Sequence, residues 1–228
     1  MRRAAALLLA CAGLLAASPA VAQLERISNR DAVAGLKAAL EKGSQAAVAQ
    51  LGRTDGFFGD ARVKIPLPDS LRRAEGLMRR LGMGRYADEL ELTMNRAAEA
   101  AVPEAKPLLI DAVKKMSVQD AKGILTGGET AGTEYFRRTT QDQLRKKFLP
   151  VVQQATKRVQ LAEKYNAYAE VGARFGLISE RDANLDQYVT QKALDGLYFM
   201  IAEEEKKIRQ DPLGSASSII KKVFGALR

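Results

Sequence analysis

The stretch DQYVTQKALDGLYFMIAEEEKKIRQDP, Asp186 to Pro212, decides the fold. Leu194, Leu197, Tyr198, Ile201 and Ile208 recur at helical spacing and form an apolar stripe. Glu203 and Lys207, and Glu205 and Arg209, stand four apart in acid-to-base order, the pattern of a solvated helix face. Asp211-Pro212 ends the helix, because a residue before proline is driven out of the α region. A helix this long and this two-faced needs other helices to cover its stripe.

The chain before it supplies them. Ser28 to Leu51 reads as a first helix with Val33, Leu36, Leu40, Ala47, Val48 and Leu51 inward, capped by Ser28 or Asn29. Asp69 to Leu81 is a short helix capped by Asp69 or Ser70. It carries the pairs Arg72-Arg73 and Arg79-Arg80, which Asp69 and Glu75 partly offset. Arg85 to Val102 is an alanine-rich helix, Pro103 and Pro107 open another that runs to Met116, and Ser117 caps VQDAKGIL. Glu129 to Phe148 follows, with Thr126-x-x-Glu129 fitting a capping box. Helical pattern continues past Pro150 and again over Leu161 to Phe175. Leu213 to Arg228 is a last amphipathic helix that either packs back on the bundle or lies on an anionic membrane. Thr54 to Ser70 is the one long non-helical stretch. Its Phe57, Phe58, Val63, Ile65 and Leu67 fit an ordered loop strapped across the bundle, or a lid or partner-docking segment. The expected fold is all-α: a compact single-domain multi-helix bundle over residues 23–228, with one long apolar loop after the first helix.

Residues 1–22 stand apart. Met1-Arg2-Arg3, an apolar run to Ala17, and small residues at Ala20 and Ala22 make a secretory signal peptide cut after Ala22, so the expected address is the periplasm. Cys11 after Leu8-Leu9-Ala10 raises a lipoprotein alternative. It is the weaker one, because the apolar run continues past Cys11 to a good cleavage site. Two of the 36 basic residues, Arg2 and Arg3, and none of the 27 acidic ones leave with the signal, and the formal charge falls from +9 to +7. The only cysteine leaves too, so the core must hold without disulfides. A modest positive charge suits anionic partners: lipid head groups, cell-wall polymers or acidic proteins. Nucleic acid is not expected outside the cytoplasm.

Several distinctive blocks follow in fixed order. They are Gly56-Phe57-Phe58 with Ile65-Pro66-Leu67-Pro68, Met94 to Glu99, Gly128 to Arg137, Val189 to Leu197, Ile208 to Pro212 and Lys222 to Gly225. In these the chain resembles the exported bacterial family called domain of unknown function 4197, over nearly all of the mature sequence. The resemblance implies a helical exported protein and brings no activity, cofactor or catalytic residue with it.

The missing residue types remove much chemistry. With no histidine, and no cysteine after signal removal, Ser-His-Asp and Cys-His systems cannot form, and zinc, copper and haem lose their usual ligands. No phosphate loop or calcium loop is present, and no cofactor is expected. Paired carboxylates need only proximity in space, so a carboxylate-based hydrolase built on Glu99 or Glu134 stays as an alternative. The best candidate site is the helix start at Gly128 to Arg138. Free backbone N–H groups there, with Thr130, Thr133, Tyr135 and Arg137, would suit an anion. Asn95, Arg96 and Glu99 on the preceding alanine-rich helix would either join that pocket or form a buried polar network. The sequence thus points to a non-enzymatic binder of a protein partner or a small anionic or amphipathic ligand. The alternative is an envelope protein touching anionic membrane through its last helix and its arginine patch.

Overall fold

In the computed structural model the described residues are 28–82, 84–157, 162, 165–166, 184–214 and 217–226. The proposed signal peptide, most of the pattern over Leu161 to Phe175, and Ser179 to Asp182 lie outside them.

The fold is all-α, with no strand among the described residues. Helix α1 (Asn29–Leu51) starts where Ser28 Oγ accepts the Asp31 N–H at 3.1 Å. Helix α2 (Asp69–Arg80) has Pro68 at its cap position and no side-chain cap. The expected caps, Asp69 and Ser70, are already in the helix, and the loop ends at Pro68; Ser70 Oγ instead meets Tyr165 Oη at 3.0 Å. Helix α3 (Gly84–Ala101) passes through a 3-10 turn (Val102–Glu104) into α4 (Ala105–Lys115). Helix α5 (Val118–Thr126) has a full capping box between Ser117 and Asp120. Helix α6 (Ala131–Thr156) runs through Pro150, α7 (Leu185–Gln210) is the long amphipathic helix, and α8 (Ser218–Gly225) ends the fold.

The antiparallel pair α6 and α7 forms the spine, with α3 on one side and α1 on the other. Their seam is apolar but carries polar clasps: Thr140 Oγ1 lies 2.8 Å from Tyr198 Oη, and Thr156 Oγ1 donates to Asp186 Oδ1. Leu194, Leu197, Tyr198 and Ile201 are buried as their spacing requires.

Helix α8 packs on α1, and Ile220, Val223 and Phe224 are buried there. The approach is so close that a Cβ on Gly35 would lie 2.4 Å from Val223 Cγ2. Lys222 Nζ clasps Asp31 Oδ2 at 2.6 Å. The Ile220, Val223 and Phe224 part of the face that could have entered a membrane is therefore buried, while Leu213, expected on the same helix, lies before it and is 67% exposed. Two arginines of the patch are matched inside the fold. Arg72 pairs with Asp69 at 2.6 Å, and Arg79 bridges Glu75 at 2.7 Å and Asp88 of α3 at 2.6 Å.

Residues 52–68 form the apolar strap. Phe57 is wholly buried, and its ring edge fills the space over Gly196, where a Cβ would lie 2.6 Å from Phe57 Cε1. Val63, Ile65 and Leu67 are buried beside it.

Candidate functional site

Asn95, Arg96 and Glu99 face the strap. Asn95 Oδ1 accepts the Ile65 N–H at 2.8 Å, and its Nδ2 donates to the Ile65 carbonyl at 2.9 Å and to the Glu91 carbonyl at 2.8 Å. The side chain mimics a strand neighbour for a backbone that has none. Glu99 Oε1 accepts the N–H groups of Phe57 at 3.0 Å and Phe58 at 3.2 Å, while Oε2 pairs with Arg96 at 2.6 Å. Arg96 reaches on to Asp55 at 2.7 Å, the one described non-glycine residue with a left-handed backbone, φ 62°. These three residues fasten the loop and do not line a hollow with Arg137. Both Glu99 oxygens are engaged inside the fold, whereas the Glu134 side chain is 63% exposed.

The helix start after Gly128 holds an anion, and the anion is the chain's own. Glu205 of α7 accepts the Gly132 N–H at 3.0 Å through Oε1. Through Oε2 it accepts the Thr133 N–H at 2.8 Å and the Thr133 hydroxyl at 2.9 Å. Arg209 donates to Glu205 Oε1 at 2.9 Å and to the Ile124 carbonyl at 2.9 Å. The Glu205–Arg209 pair is thus buried, with side chains 5% and 15% exposed, and does not lie on the solvated face its spacing suggested. Glu203 and Glu204 pair instead with Lys206 and Lys207. The expected capping box at Thr126 and Glu129 is absent. Thr126 stays in α5 and donates to the Lys122 carbonyl at 2.9 Å, while α6 begins only at Ala131. Glycines 127 and 128 separate the two helices, so the pattern spans a break.

Tyr135 faces away from Arg137. Its hydroxyl donates to the Ala112 carbonyl at 2.9 Å, inside the contact with α4. Arg137 lies on the opposite side, in an open groove between the strap, α6 and α7. Three adjoining hollows of about 500, 890 and 480 Å³ meet pairwise: Pro66, Lys192 and Asp195 line the first and second, Glu134 and Arg137 the first and third, and Gln141 the second and third. Thr130 and Thr133 close one end; Arg145, Tyr188 and Gln191 line the other.

The groove's cations are loosely matched. Arg137 reaches Asp195 only at 3.9 Å and Glu134 only at 4.0 Å, and its guanidinium lies 4.7 Å from the Tyr198 ring. Arg145 donates to the neutral Gln191 Oε1 and has no carboxylate within salt-bridge reach among the described residues. Lys192 has no ion pair there either and sits 5.7 Å from the Tyr188 ring. Arg62 and Lys64 on the strap wall are paired, with Asp60 at 2.6 Å and Glu91 at 2.9 Å. Such loosely matched cations keep N–H donors for a solute anion.

Sequence reasoning named Thr130, Thr133 and Arg137 of this groove but missed Arg145, Gln191, Lys192, Asp195 and Phe199. The signal was present: Tyr188, Gln191, Asp195 and Phe199 form a second stripe on α7, at helical spacing, beside the apolar one.

Burial pushes the Tyr198 hydroxyl above the ordinary tyrosine value, while Thr140 and Arg137 pull the other way. The neutral phenol is favoured by folding. Its contribution is whole below the unfolded value near pH 10.0 and is lost as pH rises through the raised folded value. Tyr198→Phe is expected to flatten the alkaline limb of a urea-midpoint titration between about pH 9 and 11. An unchanged limb would show that Tyr198 does not titrate with unfolding.

No curated protein and no solved structure matches the chain. The family described as "Protein of unknown function (DUF4197)" matches residues 26–225, a span that takes in α1 to α8, the strap and the groove. The chain belongs to this family.

Proposed function

We propose that this is an exported, non-enzymatic binding protein whose groove over Arg137 receives an anionic group of a ligand or partner. One observation carries the proposal. Arg137, Arg145 and Lys192 line adjoining parts of one open groove, and among the described residues the nearest carboxylate to any of them stands 3.9 Å away. By contrast Lys64, Arg79 and Lys222 find acids at 2.6–2.9 Å. Export rests on residues 1–22, whose charge, apolar length and small-residue end suit a cleaved signal.

Native mass spectrometry of the protein purified from its own host is the test. The expected result is a stoichiometric anionic adduct or partner, lost on Arg137→Ala with thermal stability kept. A bare chain from the host, or an adduct indifferent to Arg137, would count against the groove.

A second reading has its own support. Leu77 on α2 and Leu81 at its C-terminal cap are 61% and 65% exposed, with Arg80 exposed beside them. They would give peripheral contact with an anionic membrane surface. Sedimentation with phosphatidylglycerol vesicles that Leu77→Ser and Leu81→Ser together abolish would support that contact; no sedimentation would remove it.

A further inference from the structure

We infer that the groove's partner is an extended protein segment carrying acidic side chains four residues apart, with a neutral residue midway between them. The inference rests on reading the groove as an anion site, and it adds the shape and spacing of the anion's carrier.

Arg137, Gln141 and Arg145 follow one another at four-residue steps on α6, and all three line the groove. At 1.5 Å rise per residue the two arginines are set about 12 Å apart along the helix. An extended chain advances about 3.3 Å per residue and points alternate side chains to the same side. Residues four apart then face the same wall about 13 Å apart, which matches the two arginines.

The middle of the groove selects against a denser anion. Asp195 lines both main hollows and accepts from Gln191 Nε2 at 2.8 Å. Gln191 in turn accepts from Arg145. A polymer with a charge on every repeat would set one of them against Asp195, and like charges in a groove repel. A neutral or hydroxyl side chain carries no charge to set against Asp195 and meets no such penalty. The amides of Gln141, Gln187 and Gln191 line the same stretch. They offer donors and acceptors to a main chain, which an extended segment leaves unpaired.

The test uses the purified protein and fluorescence anisotropy. One labelled peptide carries glutamates four apart with threonine between, a second carries them three apart, and inorganic polyphosphate competes. The four-apart peptide is expected to bind at least about tenfold more tightly than the other. Arg137→Ala and Arg145→Ala should each weaken it by about tenfold, and Arg145→Lys should restore part of the loss. Circular dichroism melting of each variant confirms the fold. Equal affinity for both spacings, or polyphosphate binding tighter than either peptide, would overturn the acidic-segment inference and leave the anion groove standing. Failure of every probe to bind would overturn both.

Discussion

Replacing Glu205 with alanine is expected to destabilise the fold by about 3–5 kcal/mol, read as a drop in the urea midpoint. Three things are lost together. The Gly132 and Thr133 N–H groups at the start of α6 lose their acceptor, in a place that water does not reach. The Thr133 hydroxyl loses its partner. Arg209, whose side chain is 15% exposed, keeps its charge with the Ile124 carbonyl and the Phe224 ring, 5.7 Å away, but no carboxylate to hold it. A buried cation left without its anion is the largest of these costs. Glu205→Gln keeps the shape and one acceptor oxygen, so its loss should be smaller. If glutamine costs nothing, the charge is irrelevant and packing alone explains the site. If alanine costs under about 1 kcal/mol, Glu205 does not hold the α6 start at all.

Phe57→Ala is expected to cost about 3–5 kcal/mol as well, through a cavity at the centre of the strap. The ring is wholly buried and rests on Gly196, where no side chain fits beneath it. The same contact predicts its reciprocal. Gly196→Ala places a methyl 2.6 Å from Phe57 Cε1, so ring or helix must move, at about 1–3 kcal/mol. In the double variant Phe57→Leu with Gly196→Ala, the shorter side chain should relieve part of that clash. Coupling of about 1 kcal/mol or more in the favourable direction is the expected sign of direct contact. Strict additivity would mean that the two residues do not touch in solution. Because the strap also forms the groove wall at Arg62, Lys64 and Pro66, Phe57→Ala should weaken groove binding along with stability.

Stripes and several caps were legible in the sequence because they are local. Leu36, Leu40 and Val48 sit inside as their period demands, and Ser28 and Ser117 cap the helices they precede. Glu205 was not legible. An acid four residues before an arginine looks the same on a wet face and against another helix. What separates the two is Gly132, more than seventy residues earlier in the chain. Thr126 and Glu129 matched a capping pattern that two glycines interrupt, and α5 claimed the threonine. The groove was half legible. Arg137 stood out beside the helix start, but Arg145, Lys192 and Asp195 come from two helices, and a polar stripe on one helix reads as ordinary solvated surface until its neighbour is placed.

The closure of α8 on α1 sets a folding order. Lys222 meets Asp31 across 191 residues, and the pocket between Leu36, Leu40, Ile201, Ile208 and Phe224 draws on both ends of the fold. A chain made from its N-terminus can lay α4 and α5 on α1, but the cover that α7 and α8 give it comes last, and bringing such distant partners together is slow. An incomplete chain would keep the side of α1 that packs on α7 and α8 open to solvent. The late-arriving C-terminal helices would thus leave the last part of compaction until synthesis ends.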